Sequence, residues 1–434
     1  MTALSWITQL INPKNKARLE ALQQRWAVFP PALRGDDQAI GRYVSGCGAT
    51  FGIHERCDFG CTACYLGAKA NRQQPMPFEA VVSQLRKLRR YLGPGGNVQI
   101  TSGEVTLLPV EDLINIVRAA IDLELSPMVM THGDVFLHQP EYLERLVSEG
   151  GLGKVSIHVD LTQRGRKGFG LPRSEKELNQ VRSGMAAMLR SLRRRTGRKL
   201  KAATTLTVNR ENLNQLGDVV GWFLENLDSF RILSLQPQAK TGRTREDGSV
   251  ATDEVWRVLE QSLGMPLNPH PFLFGHPACN RFSLMVAVET GTRRFLLQAV
   301  RSASPLDQKL VNRFLKDFSG LVLNERPASE IALKSLAILL RKPLWLLRLP
   351  HYILIRSWQE RRHIAAVLAG MLRLRLVIRP FALVVHAFMS REEMETDLGR
   401  QRLEACVFKL AVGDRMVSMC EMNGTDVRLS TYDR

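Results

Sequence analysis

Between about residues 45 and 240, short β-branched or apolar runs alternate with stretches whose apolar residues recur at intervals of three and four. That alternation is the pattern of repeated βα units over a parallel sheet. Six strands are predicted: ATFGIHE (49–55), NVQITSG (97–103), SPMVMT (126–131), KVSIHVD (154–160), ATTLTVN (203–209) and RILSLQP (231–237). Helices are predicted between them at Phe78–Leu92, Val110–Leu123, Pro140–Glu149, Ser174–Arg195 and Asn212–Leu227, with Ser174 and Glu177 forming a capping box. Successive strands lie roughly thirty residues apart, the length of a βαβ unit, except at a long first connection and at a basic insertion, Leu161–Arg173. The expected fold is α/β, an incomplete (β/α)6 barrel whose reactive end lies at the carboxyl ends of the strands. TGRTREDGS (241–249) is a polar, Gly-containing loop, and the chain beyond it is mainly helical, apolar and basic, with residues 390–434 turning to a mixed, short-strand-like character. Three regions are expected: an N-terminal helical segment (1–44), the barrel (45–245) and a basic amphipathic C-terminal region (246–434).

Composition narrows the class. The 434 residues are 44% hydrophobic and 24% charged, too apolar for a disordered chain. Lys and Arg outnumber Asp and Glu by 60 to 42, and a net charge of +18 asks for an anionic partner. Between Ile331 and Ser390 there are ten Lys or Arg residues against one acid, Glu360, so half of the +18 lies in a seventh of the chain. The same segment carries long apolar residues with Trp345 and Trp358, a combination that suits an anionic membrane surface. A core helix whose arginines reach solvent is the plainer alternative. The N-terminal stretch Leu4–Ile11, with Trp6, is a candidate second contact. Arg341, Lys342, Arg348 and Arg356 interrupt the most apolar part of the chain, so no membrane span is expected. A second basic run, Arg190 to Lys201, lacks aromatics for base stacking, which makes nucleic acid an unlikely partner. The N-terminus does not read as a signal peptide, and the cysteine usage fits a reducing, cytoplasmic compartment with peripheral membrane association.

Seven cysteines stand at 47, 57, 61, 64, 279, 406 and 420, and the tight cluster is the middle three. Cys57-x3-Cys61-x2-Cys64 directly follows a predicted strand, and three thiolates so spaced can wrap a cube-shaped iron–sulfur cluster and leave its fourth iron open. A structural zinc site would want a fourth Cys or His at short spacing, and His54, three residues upstream, sits in the strand pattern. The four remaining cysteines, Cys47, Cys279, Cys406 and Cys420, are numerically enough for a second iron–sulfur cluster, but none lies in a tight chelating pair, and isolated cysteines are commonly small buried hydrophobes.

The C-x3-C-x2-C loop after a first strand resembles the radical S-adenosylmethionine (SAM) superfamily, and the following strands agree in order. QITSGEVTLLP (99–109) is similar to the family's Gly-Gly-Glu-Pro motif, with Ser102 and Val105 as departures. Met130-Thr131-His132-Gly133 is similar to its Thr-Asn-Gly strand end, and Val155–Asp160 to its serine-leading, aspartate-ending strand. The fifth strand ends Val208-Asn209, where a polar group commonly meets the ribose. The resemblance implies a [4Fe-4S] cluster on Cys57, Cys61 and Cys64, and SAM held by Ser102, Gly103, Glu104, Ser156 and Asn209, with Glu104 accepting from its α-ammonium. Ala63 stands where an aromatic often sits, leaving adenine to backbone contacts or Tyr65. The implied activity is reductive cleavage of SAM to a 5′-deoxyadenosyl radical that takes hydrogen from an unactivated C–H bond, with a ferredoxin- or flavodoxin-type electron donor. The resemblance assigns no catalytic residue. LSLQPQAKTGR (233–243), His276-Pro277-x-Cys279 and Cys406…MVSMC (416–420) are more remotely similar to the branch containing archaeal tetraether lipid synthases, though most of their extra cysteines are missing. A membrane lipid chain is therefore the expected substrate, with a ribosomal peptide or an RNA as alternatives.

Overall fold

The computed structural model describes residues 12–244, 248–291, 293–322 and 328–428. The expected contact Leu4–Ile11 and residues 245–247 of the polar loop lie outside them. Strands β1 (Cys47–Ala49), β2 (Asn97–Ile100), β3 (Ser126–Thr131), β4 (Lys154–His158), β5 (Lys201–Val208) and β6 (Phe230–Pro237) pair in parallel in sequence order. Helices Phe78–Leu92, Val110–Asp122, Pro140–Ser148, Glu175–Thr196 and Leu216–Glu225 fill the connections, as the apolar spacing predicts. Their apolar stripes turn onto the sheet, where Leu85, Leu88, Leu92, Leu113, Val117 and Leu143 are fully buried. Each such side chain contributes about 1.5–3 kcal/mol. The incomplete parallel βα barrel is therefore present.

Two local expectations change. The first strand ends at Ala49, and residues 50–55 leave the ladder; Phe51 and Ile53 are apolar because they are buried, not because they pair. Of the capping box, Ser174 Oγ accepts the Glu177 N–H at 3.2 Å, but the Glu177 carboxylate takes the Arg173 N–H at 2.8 Å instead of that of Ser174.

The C-terminal region is not helical alone. It also supplies β7 (Asn280–Glu289), β8 (Arg294–Gln298), β9 (Val377–His386), β10 (Phe408–Val412) and β11 (Arg415–Ser418). β9 joins β6 in parallel, with β7 and β8 antiparallel outside it, while β10 joins β1 in parallel and β11 lies outside that. The sheet thus has eleven strands in the order β11-β10-β1-β2-β3-β4-β5-β6-β9-β7-β8. Both edges of the barrel are continued by segments distant in sequence.

Between β8 and β9 lie helices Ala328–Arg341, Leu344–Gln359 and Arg361–Leu372. They are anchored by Trp345, whose indole donates to Asp317 at 2.9 Å, and by Arg356, which reaches Asp307 at 3.1 Å. Their outer faces are apolar: Leu347 is 72% and Trp358 69% exposed, with Leu340, Leu344, Leu346 and Leu354 also exposed. Among the described residues no helix is long and apolar enough to cross a membrane.

Candidate active site

The cysteine loop is fastened to the end of β2 by backbone. Gly103 N–H donates to His54 O at 3.0 Å and Glu104 N–H to Arg56 O at 2.9 Å. A Cβ at Gly103 would stand 2.4 Å from Glu55 O and 2.5 Å from Arg56 O, so only glycine allows this approach. Further along the loop, Gly60 N–H donates to Arg164 O at 2.9 Å and Thr62 N–H to Thr162 O at 2.8 Å, tying it to the segment after β4. The segment after β6 closes from the other side: Arg243 N–H donates to Cys64 O at 2.8 Å, and Thr244 Oγ1 accepts the Cys64 N–H at 3.0 Å. Gly242, at φ 56°, lies against the Cys64–Tyr65 backbone, where a Cβ would meet Tyr65 C and O at 2.3 Å.

Cys57, Cys61 and Cys64 all line one cavity of about 1570 Å³ inside the barrel. Burial pushes the Cys57 thiol up to about 12, against the Phe59 N–H that points at its sulfur, and burial raises Cys61 as well. Thiols in such surroundings ionise only when a cation meets them. Among the described residues the one trio of ligand-type atoms within 4.8 Å of one another is Cys57, Asp58 and His132. The Asp58–His132 hydrogen bond at 2.8 Å accounts for that trio. Sulfurs sharing a tetrahedral ion at about 2.3 Å stand roughly 3.8 Å apart. The sulfurs of Cys57, Cys61 and Cys64 do not all lie within 4.8 Å of one another, so they are not gathered about a single ion.

The remaining expected contacts divide. Ser102, Gly103, Glu104 and Ser156 line the cavity. The buried Ser102 hydroxyl has no hydrogen-bond partner, an orphan that a bound ligand would satisfy. Glu104 is buried and already bonded: Oε1 accepts from Thr106 N at 3.2 Å, Thr106 Oγ1 at 2.6 Å and Thr131 Oγ1 at 2.6 Å, and Oε2 from His132 N at 2.8 Å. Oε2 keeps an acceptor site, with His132 Nε2 at 3.3 Å beside it. Ser156 Oγ pairs with Thr205 Oγ1 at 2.7 Å. Asn209 is not among the cavity-lining residues; its amide donates to Gln238 at 3.2 Å and its oxygen accepts the Glu211 N–H at 3.0 Å, so Gln238 faces the cavity in its place. Tyr65 reaches the Ser102 carbonyl with its hydroxyl.

Several residues at the site make contacts that the sequence motifs did not assign. His132 stacks on Phe59 at 3.8 Å, joining the cysteine loop to the end of β3. His158 Nε2 lies 2.5 Å from Asp160, which accepts Thr162 N–H at 2.8 Å and Thr207 N–H at 2.6 Å. Burial opposes ionisation of Asp160, yet His158 and these donors bring its carboxyl down to about 2. Arg428 forms a buried ion pair with Glu55 at 2.9 Å and lies over the Tyr65 ring at 5.3 Å, pulling the C-terminal segment onto the cysteine loop. Cys279, Cys406 and Cys420 line the same cavity, brought together because β10 joins β1 while β7 and β9 close the other edge. Burial raises all three thiols, Cys420 to about 12, and Cys420 feels both Cys406 and Cys279.

The model of the Radical SAM superfamily matches residues 52–219. A 7,8-dihydro-6-hydroxymethylpterin dimethyltransferase of Methanocaldococcus jannaschii is 22% identical over 258 residues, 57% of this chain and 47% of the relative. The chain thus spans about half the length of that curated relative. Among solved structures, Streptococcus suis SuiB bound to S-adenosylmethionine aligns with a TM-score of 0.37 and 15% identity, covering 51% of this chain and 47% of SuiB. AnSMEcpe with bound AdoMet aligns at 0.38 and 14%, covering 50% and 59%. The parallel barrel and the three-cysteine loop after its first strand agree with the family match, so residues 52–219 form a radical SAM domain.

Proposed function

We propose that this enzyme takes hydrogen from an unactivated C–H bond of a membrane lipid chain, leading to C–C bond formation or another chain modification. Cys57, Cys61 and Cys64 would hold the [4Fe-4S] cluster, and the fit rests on three half-buried cysteines facing one cavity beside an orphan serine hydroxyl. Ser102, the Gly103 backbone and Glu104 Oε2 would bind SAM, while Gln238 and Ser156 border the far side of the pocket. Cluster and SAM, when bound with an electron from a ferredoxin- or flavodoxin-type donor, supply hydrogen abstraction by an organic radical.

The protein's own part is to position and to exclude water. Backbone bonds from Gly103 and Glu104 hold the cysteine loop in register with β2, and the Asp58–His132–Glu104 chain holds β3 to both. Arg428 closes the wall over Tyr65. The observation that carries the substrate class is the cavity itself. Apolar side chains such as Val98, Met128, Met130, Val155 and Val384 line it, and it continues to Ile331 on the first of the apolar, basic helices. An exposed apolar surface with almost exclusively positive charge favours peripheral attachment to an anionic bilayer.

The test uses anaerobically reconstituted enzyme, a reductant and anionic vesicles whose lipid chains are perdeuterated. Deuterium arriving in 5′-deoxyadenosine is the expected result. Turnover with no deuterium in the nucleoside, and no flotation with vesicles at physiological salt, would overturn the lipid assignment in favour of a peptide or RNA substrate.

A further inference from the structure

The cavity does not stop beneath the cysteines. Because β2 to β6 run parallel and in register, their first residues mark the opposite end of the barrel from the cysteine loop. The lining reaches that end at Asn97, Lys154, Arg198, Lys199, Lys201 and Arg231. Along β5 the distance from Lys201 to Thr207 is six residue steps, roughly 20 Å at about 3.3 Å per step. The barrel is therefore open along its length, with apolar walls between a cysteine end and a basic end.

The cations at the basic end are uncompensated. Among the described residues no carboxylate forms an ion pair with any of the five. Lys154 donates to the Asn97 amide oxygen at 2.6 Å, and its charged neighbour is another cation, Lys201. Lys199 and Arg231 feel Arg193 and Arg379 as well as each other. The acid near them is Asp228, and Arg190 already holds both of its oxygens at 2.6 and 2.8 Å. Like charges gathered at one opening cost stability unless an anion joins them.

The surface around this opening is apolar. β9 runs parallel to β6 with Ala382 opposite Ile232, so its first residues project past the base of the barrel. Leu374 and Ile378 are exposed there, Ile232 is exposed on β6, and Ile331 of the Ala328–Arg341 helix joins the lining. A cationic rim on an apolar surface, leading into an apolar bore, matches an amphiphile with an anionic head.

We propose that the base of the barrel is the substrate entrance: Lys154, Lys199, Lys201 and Arg231 hold a phosphoryl headgroup while its apolar chain runs up the bore toward Cys57, Cys61 and Cys64. This rests on the lipid-chain function proposed above and adds the direction of entry and the site that reads the head. Multiple ammonium and guanidinium donors suit phosphate oxygens.

The experiment measures binding to the reconstituted holoenzyme by calorimetry with three soluble probes: dodecyl phosphate, inorganic phosphate and dodecyl trimethylammonium. Dodecyl phosphate is expected to bind at least tenfold more tightly than either of the others. Lys154→Met and Lys199→Glu should each weaken it by about fivefold or more. Lys199 is exposed, so its replacement leaves folding intact, and unchanged iron content and melting temperature verify this for both variants. Equal affinity for inorganic phosphate would show an anion site without a chain channel and would overturn the proposal. So would dodecyl phosphate binding that neither variant alters. If the wild type forms 5′-deoxyadenosine yet binds no dodecyl phosphate, the entrance is wrong while the radical chemistry stands.

Discussion

Gly103→Ala tests how the cysteine loop is held. The added methyl would lie 2.4 Å from Glu55 O and 2.5 Å from Arg56 O, both backbone atoms that no rotamer change can move. Relief requires the end of β2 to part from the loop, and that loosens the bonds Gly103 N–H to His54 O and Glu104 N–H to Arg56 O. Overpacking of this kind costs about 1–3 kcal/mol. Weakening a backbone hydrogen bond adds about 1 kcal/mol. A total loss of about 2–4 kcal/mol is expected, read as a lower urea midpoint at unchanged m-value. Arg56 precedes Cys57 directly, so the same displacement should lower iron and sulfide bound per chain. Ser102→Ala, which removes a hydroxyl without a protein partner, should leave stability unchanged and weaken SAM binding. A Gly103→Ala protein within 0.5 kcal/mol of wild type, with full iron content, would refute the close-approach reasoning.

Glu55→Gln removes a buried carboxylate that pairs with Arg428 and should cost about 3–5 kcal/mol, seen by denaturation and by faster hydrogen exchange in residues 419–428. His386, pulled down by burial to about 4, stays neutral in the fold where the unfolded chain takes a proton near 6.5. Stability should therefore fall as pH drops from about 6.5 toward 4, and His386→Leu should flatten that slope in urea titrations. Leu347→Glu with Trp358→Glu places two carboxylates on the outward face of the Leu344–Gln359 helix and should abolish flotation with anionic vesicles while leaving melting temperature unchanged. Retained flotation would remove that helix from the membrane contact.

The local pattern foretold the barrel well because βα units obey short-range rules. Helix Phe78–Leu92 appears with the expected ends, and the three cysteines, Ser102, Gly103 and Glu104 meet in one cavity because each follows a strand of the same parallel set. What the pattern missed depends on long-range pairing. β9 reads as the tail of a helical, arginine-rich tract, yet its parallel pairing with β6 closes one side of the barrel. β10 pairs with β1 across some 360 positions, and that pairing brings Cys406 and Cys420 toward Cys279. No chelating interval in the sequence could show it. Asn209 illustrates the reverse: its position at a strand end is as expected, but Gln238 and Glu211 occupy its side chain. The charge pattern pointed to residues 331–390, whereas the cations at the barrel base come from the starts of three strands and the turn before β5, a gathering no linear count shows.

The most direct test of the account is 5′-deoxyadenosine formation by anaerobically reconstituted protein given SAM and a strong reductant. The account predicts that wild type produces 5′-deoxyadenosine and methionine, and that Cys61→Ala produces neither. Absence of the nucleoside from iron-loaded wild type, or its undiminished formation by Cys61→Ala, would contradict it.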